Sequence, residues 1–267
     1  EMIPRPIAGK YNDIARIAVE AARSGGRVLI IRNRVQDCIA TQEALEAEIG
    51  EDEHLLLQVN GVQAPHHSRF APVDRSRLDD AIERGFGKET PIEGIVAVAT
   101  QTVEQSLDLS ASLLISDLCP VDVLLQRMGR LHRHGRTHPS GFEDPQCIVI
   151  TPESRDLAPA IVEGGEMDGC GLKGPHGLGT VYQDLRNIEA TWRILEDDDL
   201  DTWTIPDDNR RLVERGTHPV VLEEIAEELG GMWERHQRWV FGERAARAEA
   251  SRNVELQRHK NFGDQSF

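Results

Sequence analysis

Apolar residues fall along this chain in two alternating rhythms. Residues 10–24 place Ile14, Ile17, Ala18 and Ala21 at three- and four-residue intervals, which predicts an amphipathic helix stopped by Gly25-Gly26. Val28-Leu29-Ile30-Ile31 follows as an unbroken apolar run, the pattern of a strand buried on both faces. The alternation then repeats: a helix over 35–49, a strand at Leu55-Leu56-Leu57-Gln58-Val59, a loop around Pro65-His66-His67, a helix over 74–86 and a strand at Ile95-Val96-Ala97-Val98-Ala99. Leu113-Leu114-Ile115 predicts another strand. Pro120 then starts a helix that runs to about Leu131, and Ile148-Val149-Ile150 closes the series. Such a succession predicts an α/β fold, an open parallel sheet with helices on both faces. Past Thr151 the rhythm changes. Residues 164–179 hold seven glycines with no strand leading into them and read as a surface loop, not a phosphate loop. From about 180 the spacing is helical, through Val181, Leu185, Ile188, Trp192 and Leu195, with further helices at 207–215, 219–229 and 231–250 and Trp233 and Trp239 as core residues. The predicted organisation is a sheet domain over 1–152, a Gly-rich linker over 153–179, and a mostly helical appendage over 180–267.

Composition narrows the partners. In 267 residues, 46 Asp and Glu outweigh 30 Lys and Arg, a formal charge of −16, which argues against coating of nucleic acid or acidic membrane by the surface as a whole. A local basic site remains compatible with it. The four cysteines, Cys38, Cys119, Cys147 and Cys170, form no Cys-x-x-Cys pair, and no apolar run approaches the roughly 20 residues that span a bilayer. The expectation is a cytoplasmic protein with no membrane partner and no metal ligands.

Ligands of open α/β sheets sit at the carboxyl ends of strands, so the segments that follow strands carry the chemistry. Two stand out. Ala99 to Asp108 is a polar run whose hydroxyls and backbone N–H groups suit phosphate oxygens. Gln126-Arg127-Met128-Gly129-Arg130-Leu131-His132-Arg133-His134-Gly135-Arg136 concentrates guanidinium groups in an acidic chain; if the helix continues, Arg127, Arg130, Arg133 and Arg136 form one stripe, suited to bidentate phosphate contact. His132, His134 and His138 lack an adjacent acidic or thiol partner and do not read as a metal site.

The order Thr-Gln…Ser-Leu-Asp, followed about twenty residues later by Gln-Arg-x-Gly-Arg-x-x-Arg, resembles motifs V and VI of the superfamily 2 helicases, in their second RecA-like lobe. Ala99 to His134 resembles more specifically the CRISPR-associated helicase-nuclease of type I systems, through Ala-Thr-Gln…Ser-Leu-Asp and Asp122-Val123-Leu124-Leu125 running into Gln126 to Arg133. His67-Ser68-Arg69-Phe70 with Asp74-Arg75 and the strand end Ile30-Ile31-Arg32-Asn33 are similar to further segments of that family. So are Tyr182 to Thr191 and Leu212 to Pro219. The resemblance implies a RecA-like lobe that closes with a first lobe over ATP and Mg²⁺. In it Arg130 and Arg133 act as arginine fingers and Gln126 positions the γ-phosphate or attacking water. Asp108, Glu104, Ser106 and Arg127 border the nucleotide. Thr100, Gln101, Arg32, Asn33, His67, Ser68 and Arg69 hold phosphates of single-stranded DNA. It implies as partners the first lobe, a metal-dependent nuclease domain and a guide-RNA surveillance complex. The chain contains neither a Gly-x-x-x-x-Gly-Lys-Ser/Thr loop nor a His-Asp dipeptide, so it reads as the second half of such a motor, inactive by itself. Two rivals stay open: a lobe of another superfamily 2 DNA or RNA translocase, and a non-catalytic adaptor docking through its acidic helices.

Overall fold

The computed structural model describes residues 3–8, 10–90, 93–104, 107–135, 138–162, 181–197 and 202–253. Its sheet is built from β1 (Ile3–Ala8), β2 (Arg27–Ile31), β5 (Ile95–Ala99), β6 (Leu113–Asp117) and β7 (Gln146–Thr151), all parallel, in the order β1-β7-β6-β2-β5. Strands β2, β5, β6 and β7 alternate their side chains between two apolar layers. Val28, Ile30, Val96, Val98, Leu113 and Ile115 face α1 (Tyr11–Arg23) and α2 (Val35–Ile49). Leu29, Ile31, Ala97, Ala99, Leu114, Cys147 and Val149 face the opposite layer, which contains α3 (Pro72–Phe86) and α4 (Val121–Met128). Burial on both faces is why β2 and β6 read as continuous apolar runs.

The strand expected at Leu55–Val59 is split. Leu57 donates its N–H to the Val96 carbonyl (2.9 Å) and His66 donates to that of Val98 (2.8 Å), so both segments run along β5. Between them the chain leaves the sheet as a hairpin, β3 (Gln58–Val59) and β4 (Val62–Gln63), turning at Asn60-Gly61 with φ of 53° and 77°. The Asn-Gly pair supplies the left-handed conformations that a two-residue hairpin needs. Strand β1 is an addition to the expected set. It lies at the sheet edge beside β7, the position in a sheet that tolerates prolines such as Pro4 and Pro6.

The later helices are α5 (Leu185–Leu195), α6 (Asn209–Thr217), α7 (Pro219–Leu229) and α8 (Met232–Asn253), in place of the expected helices over 207–215, 219–229 and 231–250. They are not an appendage: Leu185, Ile188, Trp203, Leu212, Leu222, Ile225 and Trp233 belong to the same apolar cluster as the α3–α4 face of the sheet. Close approach is achieved at Gly216, where a Cβ would lie 2.4 Å from Val121 Cγ1 of α4. The glycine-rich stretch lies outside the described residues. No helix among the described residues is long and apolar enough to cross a membrane.

The chain passes from β2 to β5 at one edge and then back across β2 to β6. That reversal opens a crevice at the carboxyl ends of β2 and β6, the side on which residues 32–34, 100–104 and 118–120 emerge.

Candidate functional site

The crevice is organised around Arg127, on the last turn of α4 and fully buried. Its Nε donates to Glu104 Oε1 (2.8 Å), Nη1 to Ser116 Oγ (2.9 Å), and Nη2 to Asn33 Oδ1 (3.1 Å) and the Tyr182 hydroxyl (2.9 Å). One guanidinium thereby ties together the segments after β2 and β5, the end of β6 and the residue leading into α5. A fork of five N–H groups is the side chain able to do this. Arg127, expected to border the nucleotide, here spends its donors on partners inside the protein. Asn33 is as fully committed: its N–H donates to Asp117 (2.6 Å), its side-chain amide to the Leu118 carbonyl (2.8 Å), and its own carbonyl accepts from Gln101 Nε2 (2.9 Å). Arg32 pairs with Asp117 (3.0 Å), donates to Thr41 (2.7 Å) and lies over the Tyr11 ring (5.4 Å). It lines a cavity of about 250 Å³ together with Tyr11, Arg34, Asp37 and Leu118. Arg32 and Asn33 are thus buried and bonded within the frame of the site. Glu104 is likewise occupied, as the partner of Arg127.

Helix α4 ends at Met128, so the stripe of four arginines does not form. Leu131 instead bridges to Ala111 and His132 adopts a left-handed φ of 44°. The break turns Arg130 and Arg133 away from the helix axis and toward the loop after β5. Arg130 donates to the carbonyls of Leu107 and Glu104, the latter at 2.7 Å, and Arg133 pairs with Asp108 at 2.9 Å. Burial first, and then the charge of Arg133, hold the Arg130 pKa below its ordinary value, the signature of cationic groups short of counter-charge. Gln126 and Arg133 are exposed, and Arg130 is half-buried. Asp108, 58% exposed, also lies 3.4 Å from His134 Nε2, an arrangement that a competing anion displaces at little cost. Ser106 and Arg136 lie outside the described residues.

Among the remaining nucleic-acid candidates, Ser68 and Arg69 are exposed and Gln101 is half-buried, whereas Thr100 and His67 are buried. His67 stacks on Phe70 (ring centroids 4.4 Å apart). Burial, and after it the charge of Arg69, lower its pKa. Two functional residues escaped the sequence reading. Tyr182, whose hydroxyl also bonds Gln101, is a phenol that burial holds well above its ordinary pKa; only its distance in sequence concealed it. His66 was read only as part of a loop, yet its side chain is fully buried between two polar partners.

The arginine-bearing turn rests on an aromatic clasp. The rings of His132 and His138 stack at 3.5 Å with an interplanar angle of 3°, and burial, then the proximity of His138, push the His132 pKa down to about 4 from 6.5. Between these values the unfolded chain binds a proton that the folded chain refuses, so the stack stabilises fully above about pH 6.5 and its contribution is lost as pH falls toward 4. Urea midpoints at pH 7 and pH 5 are expected to differ less in His132→Asn, which keeps a residue tolerant of the left-handed backbone and removes the titration, than in the wild-type chain. Equal differences would reject this account.

The family pattern described as CRISPR-associated nuclease/helicase Cas3, C-terminal, matches residues 24–136. The CRISPR-associated endonuclease/helicase Cas3 of Escherichia coli is 36% identical over 140 residues, covering 51% of this chain and 14% of that protein. The corresponding Thermus thermophilus protein is 35% identical over 149 residues, covering 55% and 14%. The crystal structure of T. fusca Cas3 with ADP superposes with a TM-score of 0.69 at 25% identity, covering 96% of this chain and 27% of that one. The chain thus spans about one seventh of the length of these curated relatives. Motif order, a RecA-like parallel sheet and an arginine-bearing turn at its carboxyl edge agree with this likeness, and over residues 24–136 the chain is similar to the C-terminal helicase part of Cas3 nuclease/helicases.

Proposed function

We propose that this chain is the second RecA-like lobe, with part of the helical region that follows it, of an ATP-dependent single-stranded DNA translocase and nuclease acting in CRISPR interference. The observation that carries the reading is the convergence of Arg130 and Arg133 on Glu104, Leu107 and Asp108, beyond the carboxyl end of the sheet. Among the described residues these two guanidinium groups meet two backbone carbonyls and one exposed carboxylate, with Gln126 exposed nearby in the same motif. A triphosphate fits that donor set. In this reading the first lobe holds ATP with Mg²⁺, and Arg130 and Arg133 swing from the loop onto the γ-phosphate as the lobes close, with Gln126 beside them. Asp108 releases Arg133 on closure, which links the nucleotide to the loop bearing Gln101. Ser68, Arg69 and Gln101 touch the DNA backbone, while Arg32, Asn33, Thr100, His67 and Arg127 hold that surface in shape. In this reading nuclease chemistry and docking on a surveillance complex belong to other parts of a longer protein; the Escherichia coli relative is named an endonuclease/helicase.

Two measurements test the reading. The 267-residue chain alone is expected to turn over ATP no faster than a buffer blank, with or without single-stranded DNA; DNA-stimulated turnover by the isolated chain would overturn the split site. In the full-length protein, Arg69→Ala should weaken single-strand binding and lower the slope of log K against log salt by about 0.7, the loss of one phosphate contact. An unchanged slope removes Arg69 from the track.

A further inference from the structure

We propose that His66 is a positioning residue that welds the two segments assigned to the DNA backbone, 67–69 and 100–102, into one rigid surface. Its imidazole is fully buried with both nitrogens engaged, Nδ1 with Thr102 Oγ1 at 2.7 Å and Nε2 with Asp79 Oδ1 at 2.6 Å. A carboxylate only accepts, so Nε2 carries the proton and donates to Asp79, and Nδ1 shares the second hydrogen bond with the Thr102 hydroxyl. The Thr100 hydroxyl, 3.4 Å from that of Thr102, extends this chain of bonds, which ends at Asp79 of α3. The backbone repeats the connection: the Thr100 N–H donates to the His66 carbonyl at 2.9 Å, and the His66 N–H donates to that of Val98 at 2.8 Å.

The arrangement is more than a satisfied core histidine because of what hangs from it. His67, Ser68 and Arg69 follow His66 directly, and Gln101 lies between Thr100 and Thr102, so every exposed residue of the proposed DNA track is one to three positions from the chain. A leucine would fill the same space and leave Thr102 and Asp79 without their common partner. The inference rests on the functional reading above for what the two segments touch, but not for the weld itself.

Hydrogen exchange of the 267-residue chain and DNA-stimulated ATP turnover of the full-length protein test it together. In His66→Leu and in Thr102→Val, amides at 67–69 and 100–103 should exchange about tenfold faster with those of 28–31 unchanged, the effect of losing one buried hydrogen bond. The half-saturating concentration of single-stranded DNA should rise about tenfold with kcat within about twofold of wild type. His66→Gln, which retains a donor and an acceptor, should fall between, and Val62→Ser on the exposed hairpin should change nothing. Unchanged exchange at both segments, or acceleration spread equally over 28–31, overturns the weld. A half-saturation that stays constant while exchange rises leaves the weld standing and overturns its role in positioning the DNA contacts. If the wild-type protein shows no DNA-stimulated turnover, the proposed function fails, and exchange alone decides the role of His66.

Discussion

Arg133→Ala in the full-length protein is expected to lower DNA-stimulated ATP turnover by roughly 10³-fold or more, the scale on which an arginine finger acts. The fold should not change with it. Arg133 is 45% exposed and its one ion pair is with an Asp108 that is itself 58% exposed, so removing it costs at most about 1 kcal/mol of stability. Unfolding midpoints and single-strand binding should therefore match wild type while turnover collapses. Arg130→Ala should lose as much turnover and in addition loosen the loop at 104–108, since Arg130 holds the carbonyls of Glu104 and Leu107. Near-normal turnover in Arg133→Ala would remove it from the transition state and leave the exposed guanidinium as a surface charge.

The largest effect on stability is expected three positions earlier in the same motif. Arg127→Ala should destabilise the chain by about 3–5 kcal/mol, because it strands Glu104 beside an empty volume and removes donors from Ser116, Asn33 and Tyr182 together. Arg127→Lys should recover little, since an ammonium cannot reach four acceptors lying in the directions of a planar fork. Urea unfolding of the 267-residue chain measures both. If Arg127→Ala unfolds within about 1 kcal/mol of wild type, the guanidinium is not the organising group and its return to the nucleotide site must be considered. Two arginines of one motif are thus expected to fail differently, one through the reaction and the other through the fold, and the pair of assays separates them.

Which arginine does which was not legible in the sequence. Equal spacing of Arg127, Arg130 and Arg133 suggested a single helical face. The helix instead stops at Met128 because residues 130–132 pair with Ala111: the Arg130 carbonyl accepts from the Ala111 N–H at 2.8 Å and the His132 N–H donates back at 3.1 Å. That pairing is between residues about twenty apart and leaves no trace in local periodicity. The burial of Arg32 and Asn33 was not legible for a related reason. A polar residue after a strand looks exposed until the strand beside it, β6, supplies Asp117 and Leu118 as partners. The Asn60-Gly61 turn directly after the run expected as a strand is, by contrast, readable in the sequence.

What the sequence by itself determined is the set of buried strands and amphipathic helices, the parallel class of the sheet, and the two polar segments at its carboxyl edge. All of these rest on local patterns, namely which residues must leave water and at what period they recur. Tertiary structure alone decided the strand order, the joining of α5 to α8 to the sheet's own core, and the division of the polar segments into frame and surface. Burial of a charge depends on partners that arrive from elsewhere in the chain. An acidic sequence can for that reason keep one arginine wholly inside, held by Glu104, Ser116, Asn33 and Tyr182, and leave its neighbours on the same short motif facing outward.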